Sequence, residues 1–211
     1  IVDIPNFGNP LWGKTPKGGM SMKAHYLYII DNLLDPSHVA WVHLTSFAGA
    51  GTDNRPLDLE EIENGVIVSR WIMDEAPPPY YADILPFGPT CDRKQHYECR
   101  LPSTAINMSV YTPTGEGGAV KPLSPNAFIN ISYNFITPID AETSMYFWFQ
   151  HRNMDANDTV ISARMYEGAK VAFLEDKNIL EHVQTGMACR DDGYLNLALD
   201  AGAMRFRMKV A

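Results

Sequence analysis

Apolar residues recur at every second position in several stretches of the chain. Between residues 127 and 154 two such runs, AFINISYNFIT and SMYFWFQHRNM, flank a Pro-Ile-Asp turn and predict a long antiparallel hairpin. VIVSRWIMDE (66–75), QHYECRLP and AINMSVYTP are rich in β-branched and aromatic residues and predict three further strands. APPPYY cannot extend the first of these, because consecutive prolines lack amide donors. The period changes after residue 158. DTVISARMYEGAKVAFLEDKNILEHVQTGM repeats its apolar residues three and four apart, which predicts one long helix capped by Asp158. Near the start, AHYLYIIDNLLDPSHVAWVHL predicts a strand-like lead-in and then a helix over 31–44, with Pro36 suited to a second start after Asp35. Residues 1–24 read as an extended arm, and SFAGAGTDNRPLD and TGEGGAVKPLSPN as loops. Helix, strands and then a long helix make an α+β protein, an antiparallel β-sheet with helices packed on one side.

Polar residues interrupt these apolar faces at two places. Met165, Ala169, Ala172, Asp176, Ile179 and Val183 share one face of the long helix, and one of them is a carboxylate. Either Asp176 points into the core, or the helix is rotated, or the acid meets a buried Arg or backbone donor; the residues leave this open. Asn32, Asp35 and His38 are spaced by three and lie along one side of the early helix. His43 is five residues beyond His38, about 140° round a regular helix. The two imidazoles can meet one ion only if the helix ends, bends or widens between them. Two histidines and a distant carboxylate are the donor set of a 2-His-1-carboxylate iron site, and zinc is chemically compatible. No H-E-x-x-H is present to support a zinc peptidase.

Composition narrows the partners. With 211 residues and 45% apolar content the chain can build one core without disulfides. The net charge of −8 argues against nucleic acid and anionic membranes, and no apolar run is long enough to span a bilayer. Cys91, Cys99 and Cys189 are odd in number with no C-x-x-C, which fits a reducing cytoplasm and thiols used as small buried groups. The basic MRFRMKV at the end reads as a solvated tail.

The string N-L-L-D-x-x-H-x-x-x-x-H, Asn32 to His43, resembles the iron-binding signature of the oxygenase components of Rieske non-haem iron oxygenases. RWIMDEAPPPYY (70–81), ITPIDAETSMYFWFQHRNM (136–154) and AFLEDKNILEHVQ (172–184) are similar to the vanillate O-demethylase branch, so the resemblance spans residues 24–190. It implies that His38, His43 and Asp176 ligate a mononuclear Fe(II). It also implies that Asp35 bonds a ligand histidine and bridges electrons from a neighbouring subunit's cluster, and that Asn32 lies near the iron. The implied reaction is O₂-dependent demethylation or hydroxylation of a small, methoxylated aromatic compound in a bacterial cytoplasm. A reductase or ferredoxin would supply electrons, and the assembly would be a homotrimer. The family's C-x-H and C-x-x-H cluster ligands are absent from the sequence. Residues 1–24 are therefore expected to link to an upstream Rieske domain carrying a [2Fe–2S] cluster, and 25–211 to form the catalytic domain.

An oxygenase of this kind needs a largely apolar pocket with few polar anchors. Tyr133, Phe135, Phe147 and Phe149, at alternating hairpin positions, are candidates to line it, with Trp41 and Phe47. Plain core packing explains some of these equally well. His151 and Arg152 are candidates to anchor a substrate carboxylate, or to form a surface ion pair. A sheet wrapped on a long C-terminal helix is also the helix-grip, START-like architecture of apolar-ligand carriers, so a non-catalytic binding module is one rival. A metal-dependent hydrolase using the same three ligands is another.

Overall fold

The computed structural model describes residues 2–47, 55–189 and 195–211. In chain order the elements are β1 (Gly13–Lys14), β2 (Gly18–Met22), α1 (Tyr26–Leu34), α2 (Val39–Val42), β3 (Asp58–Ile62), β4 (Gly65–Glu75), α3 (Pro79–Ala82), β5 (Cys91–Arg100), β6 (Thr104–Pro113), β7 (Phe128–Pro138), β8 (Ser144–Arg152), α4 (Thr159–Ala188) and α5 (Ala201–Val210). Residues 48–54 of the Gly-rich stretch lie outside the described residues. The α+β reading holds: eight strands form one antiparallel sheet in the order β1-β8-β7-β6-β5-β4-β3, with β2 also paired to β8. From β3 to β8 the chain is a meander, each strand antiparallel to the last. Helices α1 and α4 pack against each other and against the sheet.

Sequence pattern sets most of this. Asp158 caps α4 by accepting the Ile161 amide at 2.8 Å. The buried stripe of α4 is Met165, Ala169, Ala172, Asp176 and Leu180. The expected stripe therefore holds through Asp176 and then diverges, because Leu180 turns inward where Ile179 and Val183 stay partly exposed. Helix α1 presses Ile29, Ile30, Leu33 and Leu34 onto Val66, Val68, Cys99 and Ala105. Each such aliphatic side chain contributes roughly 1.5–3 kcal/mol on burial.

Four expectations are corrected. The early helix does not run over 31–44: it starts at Tyr26, where His25 caps it through Nδ1, and it stops at Asp35 before Pro36. The first 24 residues are not merely an arm, since β1 and β2 join the sheet at β8. A Cβ at Gly18 would lie 2.1 Å from the Trp148 ring, so only glycine lets β2 come this close. The basic tail is α5, not solvated coil. Phe206 is fully buried in the main core, and Arg207 clasps Asp31 of α1 through contacts of 2.5–3.1 Å. Of the cysteines, Cys91 and Cys99 are buried as expected but Cys189 is exposed.

Candidate metal centre

The centre begins where α1 ends. The Asp35 carboxylate accepts from the Ser37 amide at 2.7 Å, the Ser37 hydroxyl at 2.5 Å and the His38 amide at 3.1 Å. This Asx-type turn restarts the chain in a new direction. Helix α2 is only four residues long, with His38 as the residue before it and His43 as the residue after it. The five-residue spacing is thus not read along one regular helix, and the two rings lie 5.2 Å apart, nearly perpendicular.

Asp176 approaches from α4. Its Oδ1 lies 3.2 Å from His43 Nε2 and 3.7 Å from His38 Nε2. Ligand atoms of all three side chains fall within 4.8 Å of one another. The remaining nitrogen of each ring is occupied. His38 Nδ1 bonds the Asp35 main-chain carbonyl, and His43 Nδ1 lies 2.8 Å from Glu175 Oε2. A ring donating through Nδ1 keeps its lone pair on Nε2, and here both Nε2 atoms face Asp176. Asp176 Oδ1 is buried and has no hydrogen-bond partner. Such an oxygen is costly to bury alone, and a cation shared with the two imidazoles removes that cost. The three residues could hold a metal ion, and two imidazoles with one carboxylate suit a divalent iron. Burial lowers the His38 pKa, an effect that Asp176 only partly offsets. Burial pulls His43 the same way, but Asp176 and Glu175 outweigh it and raise its pKa.

A cavity of about 100 Å³ opens beside the centre, lined by His38, His43 and Asp176. Its floor is the helix-facing side of the sheet. One row of paired residues runs Tyr97, Asn107, Ser132 and Gln150, and the next runs Gln95, Ser109 and Asn130. Arg93 and Asn134 complete the polar lining, while Leu33, Val39, Phe47, Pro78, Tyr81 and Phe173 supply apolar walls. Phe47 stacks on Tyr80 at 4.2 Å and meets the His43 ring edge at 6.0 Å.

Only part of the expected pocket is here. Phe47 lines it; Trp41 does not, being 77% exposed on α2. Tyr133 pairs with Phe149 and Phe135 with Phe147, so the four hairpin aromatics do share one side. That side is the back of the sheet. Tyr133 and Phe149 pack there with Ile106, Val2 and Ile4, and Phe147 is partly exposed. His151 is also on the back, against Trp12 at 4.7 Å. Arg152 is buried on the helix side, where it binds the Asp155 and Asp158 carbonyls and the Ser162 hydroxyl and forms no surface pair. Asn32 is absent from the cavity wall and lines a separate groove with Tyr28 and Ile179. Asp35 touches His38 through its carbonyl and amide contacts, with its carboxylate spent on the turn. The polar floor and Glu175 went unforeseen. The signal for the β7 and β8 part of the floor was the even parity of Asn130, Ser132, Asn134 and Gln150, polar at every second position opposite the aromatics, while Glu175 carried no such pattern.

Residues 22–211 match the family model described as the vanillate O-demethylase oxygenase C-terminal domain. The chain belongs to this family. Within reach of the same family name are relatives over nearly the whole chain. A putative toluene-4-sulfonate monooxygenase system iron-sulfur subunit of Comamonas testosteroni is 31% identical over 96% of this chain and 59% of its own. A vanillate O-demethylase oxygenase subunit of Pseudomonas sp. (strain ATCC 19151) is 29% identical over 94% of this chain and 62% of its own. The chain therefore spans about three fifths of the length of these relatives. Among solved structures, dicamba monooxygenase bound to 3,6-dichlorosalicylic acid superposes with a TM-score of 0.87 at 20% identity, over 98% of this chain and 61% of that one. The Rieske-oxygenase resemblance and the helix-wrapped antiparallel fold are both borne out by these matches. Among the described residues no helix is long and apolar enough to cross a membrane.

Proposed function

We propose that this chain is the non-haem iron catalytic part of an O₂-dependent monooxygenase that demethylates or hydroxylates a small aromatic compound. The observation that carries the reading is the convergence of His38 Nε2, His43 Nε2 and an orphaned Asp176 oxygen at the mouth of a buried cavity. Family membership supports iron, and the relatives named for toluene-4-sulfonate and vanillate support an aromatic substrate. Iron in this position would supply O₂ activation, with electrons delivered from a [2Fe–2S] cluster whose C-x-H and C-x-x-H ligands are not among these 211 residues. The same proposal includes a reductase-type donor and a trimer in which the cluster of one subunit serves its neighbour.

The chain's own residues do the rest. The Asp35 carbonyl and Glu175 carboxylate hold the imidazoles in the tautomer that presents Nε2. Three ligands arriving from two helical segments leave the cavity side of the site open for substrate and O₂. The Phe47, Tyr80 and Tyr81 rings close a wall and limit water, so that the oxidant meets the intended C–H bond. Asp35 sits next to His38 with a half-buried carboxylate, which supports its role in bridging electrons to the site. At about 100 Å³ the cavity is smaller than the roughly 150 Å³ that holds benzene, so it takes no more than a single ring, whose substituents must reach towards the open side of the site. Its polar floor and three converging donors disfavour the apolar-carrier reading.

The test is metal analysis together with O₂ uptake and formaldehyde release by the full-length protein and its electron donor. The native protein should retain one iron per chain at this centre. Asp176→Ala should lower iron affinity at least a hundredfold and abolish uptake while far-UV circular dichroism stays native. Undiminished iron in that variant would overturn the ligand set, and iron-replete protein that consumes no O₂ with any aromatic ether would overturn the reaction.

A further inference from the structure

Two acceptors on the cavity floor have no hydrogen-bond partner. Asn107 on β6 donates through Nδ2 to the Leu33 carbonyl at 3.0 Å. That carbonyl can only accept, so the amide cannot be reversed and Oδ1 is fixed as the free end. Asn107 Oδ1 is buried and unpartnered, and the residue lines the cavity. Asn130, on the adjacent strand β7, is 2% exposed and lines the same cavity. Its Nδ2 donates to Tyr81 Oη at 2.9 Å, and its Oδ1 is likewise buried and unpartnered. The two residues are neighbours on the floor, since Ser109 pairs with Asn130 and Asn107 with Ser132. The metal centre does not account for them, because its ligands come from α2, its flanks and α4.

We propose that Asn107 and Asn130 select substrates whose ring carries, in addition to the group to be oxidised, a neutral hydrogen-bond donor, a phenolic O–H or an N–H. This rests on reading the cavity as the oxygenase's substrate site. Amide oxygens only accept, so the complementary group must donate. The Arg93 guanidinium on the same floor repels a cationic donor, which leaves the neutral ones. An analogue that lacks the donor leaves both oxygens buried without a partner and is rejected for that reason.

The experiment is calorimetric binding of three single-ring probes to the full-length Fe(II)-loaded protein without O₂. They are 3-methoxyphenol, 3-methoxyaniline and 1,3-dimethoxybenzene, alike except for the donor. At least one of the first two should bind about tenfold or more tightly than the third, and whichever binds tighter tells O–H from N–H. In Asn130→Ala that ratio should fall to within about threefold, because the donor probes lose their partner and 1,3-dimethoxybenzene no longer buries an unpaired oxygen there, and Asn107→Ala should act in the same direction. Asn107 also supports the end of α1, so if that variant fails to fold the Asn130 variant decides alone. Equal affinities in the native protein, no binding of any probe, or an unaltered ratio in Asn130→Ala overturns the proposal. Because binding needs no turnover, a preserved ratio without O₂ uptake removes the oxygenase reading and leaves the selection rule. Uptake without any ratio does the reverse.

Discussion

Beneath the metal centre the two faces of the central hairpin carry opposite chemistry. The back face is aromatic, with Tyr133 stacked on Phe149 at 5.2 Å and the N-terminal residues Phe7 and Trp12 laid over it. The helix-facing side is polar under the metal centre, with Asn130, Ser132, Asn134 and Gln150, and apolar beyond it, where Ile136, Tyr146 and Trp148 join the main core. Aromatic residues lie on both faces, since the back carries a small cluster of Ile106, Tyr133 and Phe149 while Tyr146 and Trp148 meet the main core, so alternation alone does not tell the two apart. On the helix side polar groups are tolerated because they bond one another: Tyr146 Oη donates to Asn134 Oδ1 at 2.8 Å, and Tyr80 Oη lies 2.7 Å from Gln150 Oε1. The side of a strand that looks like a pocket lining can be scaffold, while its polar side is the working surface.

Substitutions can test this division. The largest effect on stability is expected from the back face. Phe149→Ala should cost about 3–5 kcal/mol in urea unfolding while the iron content of the folded fraction stays native. Iron loss in that folded fraction would show that the faces are not separable. Next comes Glu175→Gln, which keeps the size of the side chain but removes the carboxylate charge that faces His43 Nδ1. Iron affinity should fall about 10–100-fold in a chelator competition, and unchanged affinity would mean that this carboxylate does not orient the ring.

A smaller effect concerns pH. Burial and Lys14 hold the His151 pKa down at about 4, below its ordinary 6.5. The unfolded chain binds the proton more readily, so the stability from the neutral ring is complete above pH 6.5. It declines as pH falls towards about 4 and does not decline further below that. Urea unfolding at pH 7 and 4.5 should show a loss of order 1–3 kcal/mol from this residue, absent in His151→Phe. An equal loss in both proteins would assign the acid sensitivity elsewhere. The smallest effect is expected at Trp41. Exposed on α2, it should be replaceable by Ala with less than about 0.5 kcal/mol lost and no change in probe affinity. A tenfold change in affinity would return it to the pocket.

Strand periodicity and the Asp158 cap were legible because each is a local pattern with one physical reading, whereas the carboxylate on the apolar stripe of α4 was visible but nothing local fixed its inward placement. The meeting of His38 and His43 depended on where α1 ends, which Pro36 hinted at but could not fix. Tertiary packing supplied the rest. Nothing local in MRFRMKV says that Phe206 enters the core or that Arg207 finds Asp31, residues far apart in the chain. The parity of each hairpin strand was readable, but the register across the turn and the side that faced α4 were not, because period two fixes parity within a strand and leaves its sense to the helix that covers it.

The short segment joining the two imidazoles has a corollary for how this sequence can change. His38 and His43 are the bookends of a single helical turn, so their separation is set by how many residues lie between them rather than by what those residues are. Letters at 40, 41 and 42 are open to replacement, whereas adding or deleting one there would swing a ring away from its counterpart by a quarter turn or more.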